Sequence, residues 1–563
     1  MIVNFPDAPS IFLERRGRIM KPAATSGSSN RRTFPVAALF RWLLPLLPLV
    51  SCTPLVPYRT ERDRSVNCPP LHLQDDPALD SFARVDPKCD SLREEVAPAS
   101  AGNGGYSLHF VEFDDQGELF PGTERTPLAD SEMEDFLSRV RLGSLQDDSS
   151  NPSPISVVVF VHGWKHDARS GDSNVRWFRA MLARLAIVER KSTCPRRVIG
   201  LYVGWRGDAT TLADPVKNIT FWTRKKAAAR VADGQVRELL SRLRSIQDIR
   251  NADWNGVVEH SRRHPTEVTS SHHELACSKA MRLTIVGHSF GGLVVYKALS
   301  PSLIRDIADL NERIRDAGSP VVDPVLAREG DLIVTINPAV EAAAFVPLWR
   351  AARAANPRSY HAPVFVSITS ANDDATGMAF PAARFFNTLL SKYPDGAQGE
   401  RDAELKTIGH DQDHVDYTLN TLSVLNRNSR SNPLLPDPKC EALRNAPDFL
   451  TRFDGELRRL DGFANALHAN PDANTLPQFF PRQFCIHART GDADVAIALQ
   501  PKSGTNLNSP VWNVYTSVPV LDSHSDLLNP VLVDFLRQLY EEGTRPETQR
   551  LSQTMTGPAD AGR

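Results

Sequence analysis

The stretch LTIVGHSFGGLVVYKAL, Leu283 to Leu299, decides how the chain is read. Leu283, Thr284, Ile285 and Val286 run into Gly287, a serine follows at 289 between glycines at 287 and 291, and a second apolar run begins at Leu293. Glycine lacks a Cβ, so it permits close backbone approach and strained dihedrals. Glycines two places before and two places after Ser289 predict a turn too tight for larger neighbours. G-x-S-x-G at a strand-to-helix junction is the nucleophile elbow, which lifts a serine hydroxyl above the end of a sheet.

Outward from that turn, apolar runs alternate with helical patterns. Ile155 to Gly163 (ISVVVFVHG) reads as a buried strand, and NVRWFRAMLARLAIV after it has helical spacing. RRVIGLYVGW is a second strand, and WTRKKAAARVADGQVRELLSRLRSI one long amphipathic helix with Val231, Val236, Leu239, Leu240 and Leu243 on one side. MRLTIVG precedes the elbow. Asp331 to Pro338 (DLIVTINP), Ala362 to Ser370 (APVFVSITS) and Val511 to Leu521 (VWNVYTSVPVL) are further strands, and LLNPVLVDFLRQLY is a closing helix. YSLHFVEFDDQGEL suits an early strand or hairpin. Strands separated by crossover helices predict a mostly parallel α/β sheet.

Ser289 needs a base, and the base needs a third group to orient it. With such an elbow the chain order is serine, then acid, then histidine. FVSITSANDDATG offers the acid at a strand end, with Asp373 preferred and Asp374 as the alternative; a helix N-cap is the plain structural use of either. VLDSHSDLLNPVLVDFL offers His524 between the last strand and the closing helix. His410, His414, His468 and His487 are the other histidines beyond the acid. His410 and His414 stand four apart in GHDQDH, a spacing open to a metal site or to side chains that simply face water. Backbone N–H groups of Phe290, next after the serine, and of Trp164, in FVHGWKHDA, are the expected oxyanion donors. Lys165 and His166 fall at the same mouth. Arg206, in GWRGD, is open to substrate contact or to a surface ion pair.

The 563 residues carry 65 Lys and Arg against 67 Asp and Glu, a net charge of −2, which gives no electrostatic pull toward nucleic acid. An apolar content of 41% with 23% charged residues fits a globular chain with a sizeable core. At the N-terminus, NRRTFPVAALFRWLLPLLPLVSC places Arg31 and Arg32 before an apolar run, Trp42 to Val50, too short to span a bilayer but suited to a signal-peptide core. Leu49 to Cys52 (LVSC) is similar to the lipobox of bacterial lipoproteins, which implies export and lipidation at Cys52; Met1 and Met20 both remain as starts. Beyond Cys52 lie Cys68, Cys89, Cys194, Cys277, Cys440 and Cys485, enough for up to three disulfides in an oxidising compartment, with the pairing open.

The chain thus divides into a leader over 1–52, a flexible linker over 53–104, rich in Pro, Asp, Arg and Ser, a core over 105–376, an insertion over 377–510, the last strand and helix of the core over 511–541, and a disordered tail over 542–563. The insertion shows no strand–helix alternation and is expected as a cap over the site or as a separate domain.

VVVFVHGW, GLYVGWRG, LTIVGHSFGG, ITSANDDAT and DSHSDLLNPVLVDFL together resemble the α/β-hydrolase superfamily over about residues 150–541, nearest its bacterial esterase- and lipase-like members. The resemblance implies the α/β-hydrolase fold, Ser289 as nucleophile, Asp373 as orienting acid and His524 as base, an acyl-enzyme route to ester or lipid cleavage, and no cofactor. About 150 residues separate acid from histidine, a departure from the compact members. The same elbow serves thioesterases and acyltransferases, and a membrane-anchored lipoprotein with an idle site is the non-enzymatic alternative.

Overall fold

In a computed structural model the apolar runs assemble into one sheet of eleven strands. The structure describes residues 56–61, 89–98, 105–120, 132–142, 154–208 apart from 193, 221–263, 280–316, 332–354, 363–381, 384, 398–426, 482–490, 493–506, 509–517 and 520–542. The expected leader and lipidation site, the bulk of the tail, His468 and the larger part of the expected linker lie outside these residues.

The strands are β1 (Glu94–Ala97), β2 (Tyr106–Phe113), β3 (Ile155–Val161), β4 (Arg197–Trp205), β5 (Met281–His288), β6 (Leu332–Ile336), β7 (Phe365–Ser370), β8 (Tyr417–Asn426), β9 (Arg482–Thr490), β10 (Ala493–Pro501) and β11 (Val511–Thr516). Their order across the sheet is β1-β2-β4-β3-β5-β6-β7-β11-β8-β10-β9. From β2 to β8 every neighbouring pair is parallel. β1 is antiparallel on one edge, and β10 and β9 are antiparallel on the other. Among the described residues the helices are α1 (Glu132–Leu142), α2 (Ser173–Lys191), α3 (Phe221–Asp233), α4 (Gln235–Arg263), α5 (Phe290–Asp316), α6 (Ala342–Ala354), α7 (Gln398–Leu405) and α8 (Pro530–Glu542). The whole is a mostly parallel mixed sheet flanked by helices, an α/β architecture.

A parallel strand covered by helices on both faces has both sets of side chains in the core. β3 shows it: Val157, Val159 and Val161 enter one apolar cluster, while Val158 and Phe160 enter the cluster on the opposite face. β5 and β7 are likewise buried throughout. Because the parallel strands end in register (Phe113 beside Trp205, Val161 beside Gly287, Ile336 beside Ile368, Ser370 beside Thr516), their C-terminal ends form one edge. The loops on that edge are where an α/β sheet places a site.

Three expectations are corrected. The long helix expected after β4 is two helices, α3 and α4, divided at Gly234. A Cβ on Gly234 would stand 2.6 Å from the carbonyl oxygen of Gly117, and the Gln235 N–H donates to that same oxygen at 2.8 Å. The turn after β2 therefore wedges between the helices. The expected insertion over 377–510 adds β8, β10 and β9 to the sheet itself, beside β11. In β8, YTLNTLSVLN, apolar and polar residues alternate as in a half-buried strand, a signal the sequence reading passed over.

The described parts of the expected linker are also built into the fold. β1 pairs with β2, and Arg59 is fully buried with its cation 3.7 Å over the Phe110 ring. Arg59 Nη1 donates to Glu95 Oε1 at 2.9 Å, and Arg179 Nη2 and Nε reach the two Glu95 oxygens at 2.7 and 2.8 Å. Burial alone would raise the Glu95 carboxyl, but Arg179 and Arg59 hold it below its ordinary value. Cys89 and Cys194 are each disulfide-bonded. Among the described residues no helix is long and apolar enough to cross a membrane.

Candidate active site

Ser289 follows β5 and opens α5, with a positive φ of 56°. A non-glycine residue held there stores of order 1–3 kcal/mol of strain and persists only where its surroundings impose it. Those surroundings are visible. The Ser289 N–H donates to the Ile336 carbonyl at 2.9 Å, tying the turn to β6. A Cβ on Gly291 would stand 2.0 Å from the Val161 carbonyl oxygen, and one on Gly287 2.5 Å from the Gly291 oxygen. Both glycines are required because the first turn of α5 presses on the end of β3 and on its own preceding strand.

The hydroxyl of Ser289 and Nε2 of His524 are 2.7 Å apart, and Nδ1 of His524 is 2.8 Å from Oδ1 of Asp373. The three residues come from the ends of β5, β11 and β7, which converge on one edge although 235 positions separate serine from histidine. The Asp373 side chain is fully buried, while the His524 side chain keeps 22% of its surface open to solvent. Asp373 Oδ1 also accepts from the Thr376 N–H at 3.1 Å, and Oδ2 accepts from the Thr376 hydroxyl. Burial pushes the Asp373 carboxyl up, but His524 and the Thr376 hydrogen bonds outweigh it and hold the group below its ordinary value. An ionised acceptor at this place fixes the proton of His524 on Nδ1, leaving Nε2 to accept from the serine. Asp374, the alternative acid, is exposed and caps the π-helical turn Ala375–Ala379 without a side-chain hydrogen bond.

Two further side chains fix the loop that carries the histidine. His288 donates from Nε2 to the His524 carbonyl at 2.8 Å, and Asn337 donates from Nδ2 to the same oxygen at 3.0 Å and to the Ser523 carbonyl at 3.2 Å. Asn337 sits at φ 46° after β6 and accepts the Ser370 N–H on Oδ1 at 2.8 Å, so it also secures the end of β7. His288 is buried, and burial holds its pKa well below the ordinary value, keeping the ring neutral. Sequence reasoning passed over His288, Asn337 and Thr376. Their only signals are position: one beside the nucleophile, one directly after a strand and one three residues after the acid.

The loop after β3 borders the serine. A Cβ on Gly163 would lie 2.8 Å from the Ser289 Cβ, so the chain carrying Trp164 passes against Ser289. The Trp164 ring packs 5.2 Å from Phe221 and 6.1 Å from Phe290. Lys165 has φ 67°, and its amide donates to the Gly207 carbonyl at 3.3 Å. His162 underpins this loop: Nδ1 donates to the Gly163 carbonyl at 2.9 Å, and Nε2 accepts the Trp205 N–H at 3.0 Å. His166 bonds Asp172 at 3.1 Å, its ring 6.1 Å from that of His288. Arg206 lies 3.7 Å from Asp115, the ion-pair placement.

The histidines of GHDQDH do not converge. His414 bonds Asp411 at 2.7 Å, whereas His410 packs behind the acid turn, where a Cβ on Gly377 would lie 2.9 Å from its Cε1. Among the described residues no group of three or more His, Cys, Asp and Glu is arranged to hold a metal ion.

Comparison with known proteins finds no family model, no curated protein and no solved structure that matches the chain. The chemistry of the site therefore rests on its own geometry. A serine hydroxyl bonded to an imidazole, itself bonded to a buried carboxylate, can give up its proton as it attacks an electrophilic carbon.

Proposed function

We propose that the chain is a serine hydrolase of carboxylic esters, of esterase or lipase type, on an α/β-hydrolase fold. The observation that carries this reading is the continuous line Ser289–His524–Asp373, with contacts of 2.7 and 2.8 Å, on a serine held at positive φ. A fold serving only adhesion has no use for a strained serine aligned with both partners.

In the proposed reaction Ser289 Oγ attacks the ester carbonyl and passes its proton to His524 Nε2. Asp373 stabilises the imidazolium that results. The amides of Phe290, at the positive end of α5, and of Trp164 take the oxyanion. His524 then protonates the departing alkoxide, leaving an acyl group on Ser289. A water deprotonated by His524 attacks that acyl group; the carboxylic acid leaves and Ser289 regains its proton. Every group used is a side chain or amide of the chain itself. Export and a lipid anchor at Cys52 belong to the same proposal; disulfide-bonded Cys89 and Cys194 fit an oxidising compartment.

The test is hydrolysis of p-nitrophenyl esters of increasing acyl length, with fluorophosphonate labelling, for the native chain and Ser289→Ala. Native turnover and label, both absent in the variant, support the reading. An unlabelled, inactive native protein refutes it.

A further inference from the structure

We propose that a tether of a few residues holds the catalytic edge of the sheet against a lipid bilayer, so that the substrate is an acyl ester embedded in that bilayer. The inference rests on the serine-hydrolase reading and on the lipid proposed at Cys52, and deepens that reading by naming where the ester resides.

The argument begins with Arg59. Its N–H and that of Tyr58 both donate to Glu112 Oε1 at 2.8 Å. Its Nε donates to the Ala168 carbonyl at 2.7 Å, and its Nη1 to the Cys89 carbonyl at 2.8 Å and to Glu95. A fully buried guanidinium with these partners does not detach without leaving charges unpaired in the core. Residues 58 and 59 are therefore a fixed point of the fold.

That fixed point lies on the catalytic edge. Glu112 is the penultimate residue of β2, at the C-terminal ends of the parallel strands. Ala168 belongs to the loop after β3, which begins at Gly163 against Ser289 and carries His166 beside His288. Tyr58 stands six positions from Cys52. At about 3.5 Å per residue the chain between them reaches roughly 21 Å at most. A free linker over 53–104 would instead spread over roughly 40 Å by random-coil scaling, with no fixed orientation. A lipid on Cys52 thus leaves the edge bearing Ser289 close to the surface in which the lipid is buried.

The experiment uses the full chain in vesicles of phosphatidylethanolamine and phosphatidylglycerol containing a phospholipid with a fluorogenic acyl ester, with p-nitrophenyl butyrate as the soluble probe. A Gly/Ser segment of about 24 residues inserted after Thr53 lengthens the tether about fivefold, which lowers the effective concentration of a tethered site about tenfold. The expected result is a bilayer-ester rate reduced about tenfold by the insertion, with the soluble-ester rate unchanged. An equal bilayer rate in both proteins overturns the proposal, as does a native chain that cleaves the soluble ester but not the embedded one. Failure to incorporate an alkyne fatty acid at Cys52 also overturns it and leaves the hydrolase reading standing. Loss of both rates in the native chain, with no fluorophosphonate label on Ser289, is the separate failure of the hydrolase reading.

Discussion

The ring of His288 donates to the backbone carbonyl of His524 across 2.8 Å. The residue next to the serine therefore holds the loop of the histidine that is bonded to that serine. With Asn337 on the same oxygen, the loop bearing His524 is secured from the ends of both β5 and β6. Removing the His288 bond should misplace the histidine while leaving the rest of the site intact, whereas removing Asn337 also frees the Ser370 N–H at the end of β7. His288→Ala and Asn337→Ala are each expected to lower kcat by about tenfold to a hundredfold, the cost of a misplacement near 1 Å, with KM little changed. His288→Gln, whose amide nitrogen reaches a similar point, should recover much of the loss. A glutamine variant no better than alanine would count against this role for the His288 bond.

Much of this site is legible in the chain alone, for a physical reason. Parallel strands buried on both faces are written as mostly apolar, β-branched runs, so β3, β5, β6, β7 and β11 stand out. Ser289 directly after β5, Asp373 three residues after β7 and His524 in the loop after β11 fall on one edge by topology. What is not legible depends on tertiary partners. Arg59, Glu95 and Arg179 look like solvated charges until they are brought together in the core. Asn337 looks like a turn residue until the Ser523 and His524 carbonyls approach it. β8 carries a strand's alternation, but its partner in the sheet, β11, is about 90 residues away in sequence, so nothing local shows which sheet it joins.

The acid should be worth far more than its place as a turn residue suggests. Asp373→Asn is expected to reduce kcat by about ten-thousandfold, because the amide presents no charge to the imidazolium and favours the wrong tautomer. Asp374→Asn, at an exposed position, should stay within about twofold of the native rate. Steady-state kinetics on a soluble ester separate them; a reversed order would move the acid role to Asp374. The carboxyl of Asp373 is held below 3.8, so its ionised pairing contributes stability above that pH and loses it as pH falls through the lower folded value.

Gly291 tests the elbow by sterics. Since a Cβ there would meet the Val161 oxygen at 2.0 Å and the His162 oxygen at 2.5 Å, Gly291→Ala must push α5 off β3. The expected cost is about 3 kcal/mol, the upper end for an overpacked site, together with loss of ester turnover. Gly171, with open space around it, is the control, and Gly171→Ala should alter neither property appreciably. Urea unfolding gives the stabilities; equal midpoints for the two variants would show that the packing at Gly291 yields freely.

The Arg59–Glu95–Arg179 network makes a prediction about the strap formed by residues 56–61. Glu95→Gln leaves two buried guanidinium groups facing each other without their anion. Breaking a buried pair from one side costs about 3–5 kcal/mol. Urea midpoints at constant slope should fall accordingly. Protease cleavage within residues 56–61 should quicken in the same variant. A loss under about 1 kcal/mol would mean the strap is held chiefly by its backbone bonds to Glu112.

His162 gives a pH dependence whose sign is fixed by its surroundings. Burial lowers its pKa from 6.5 to about 4, and its Nε2 is committed to accepting the Trp205 N–H. Above pH 6.5 the ring is neutral in folded and unfolded chains alike. Between 6.5 and about 4 the unfolded chain takes up a proton that the folded chain refuses, so this residue's contribution to stability falls as pH falls. Across that window the loss from this group is about 3 kcal/mol, at 1.36 kcal/mol per pH unit. His162→Gln cannot take part in that titration. The stability difference between native and variant should therefore shrink from pH 7 to pH 4.5 when both are unfolded in urea at each pH. Differences that stay constant across the range would mean that the ring is protonated inside the fold, and the bond from Trp205 would then have to be redrawn.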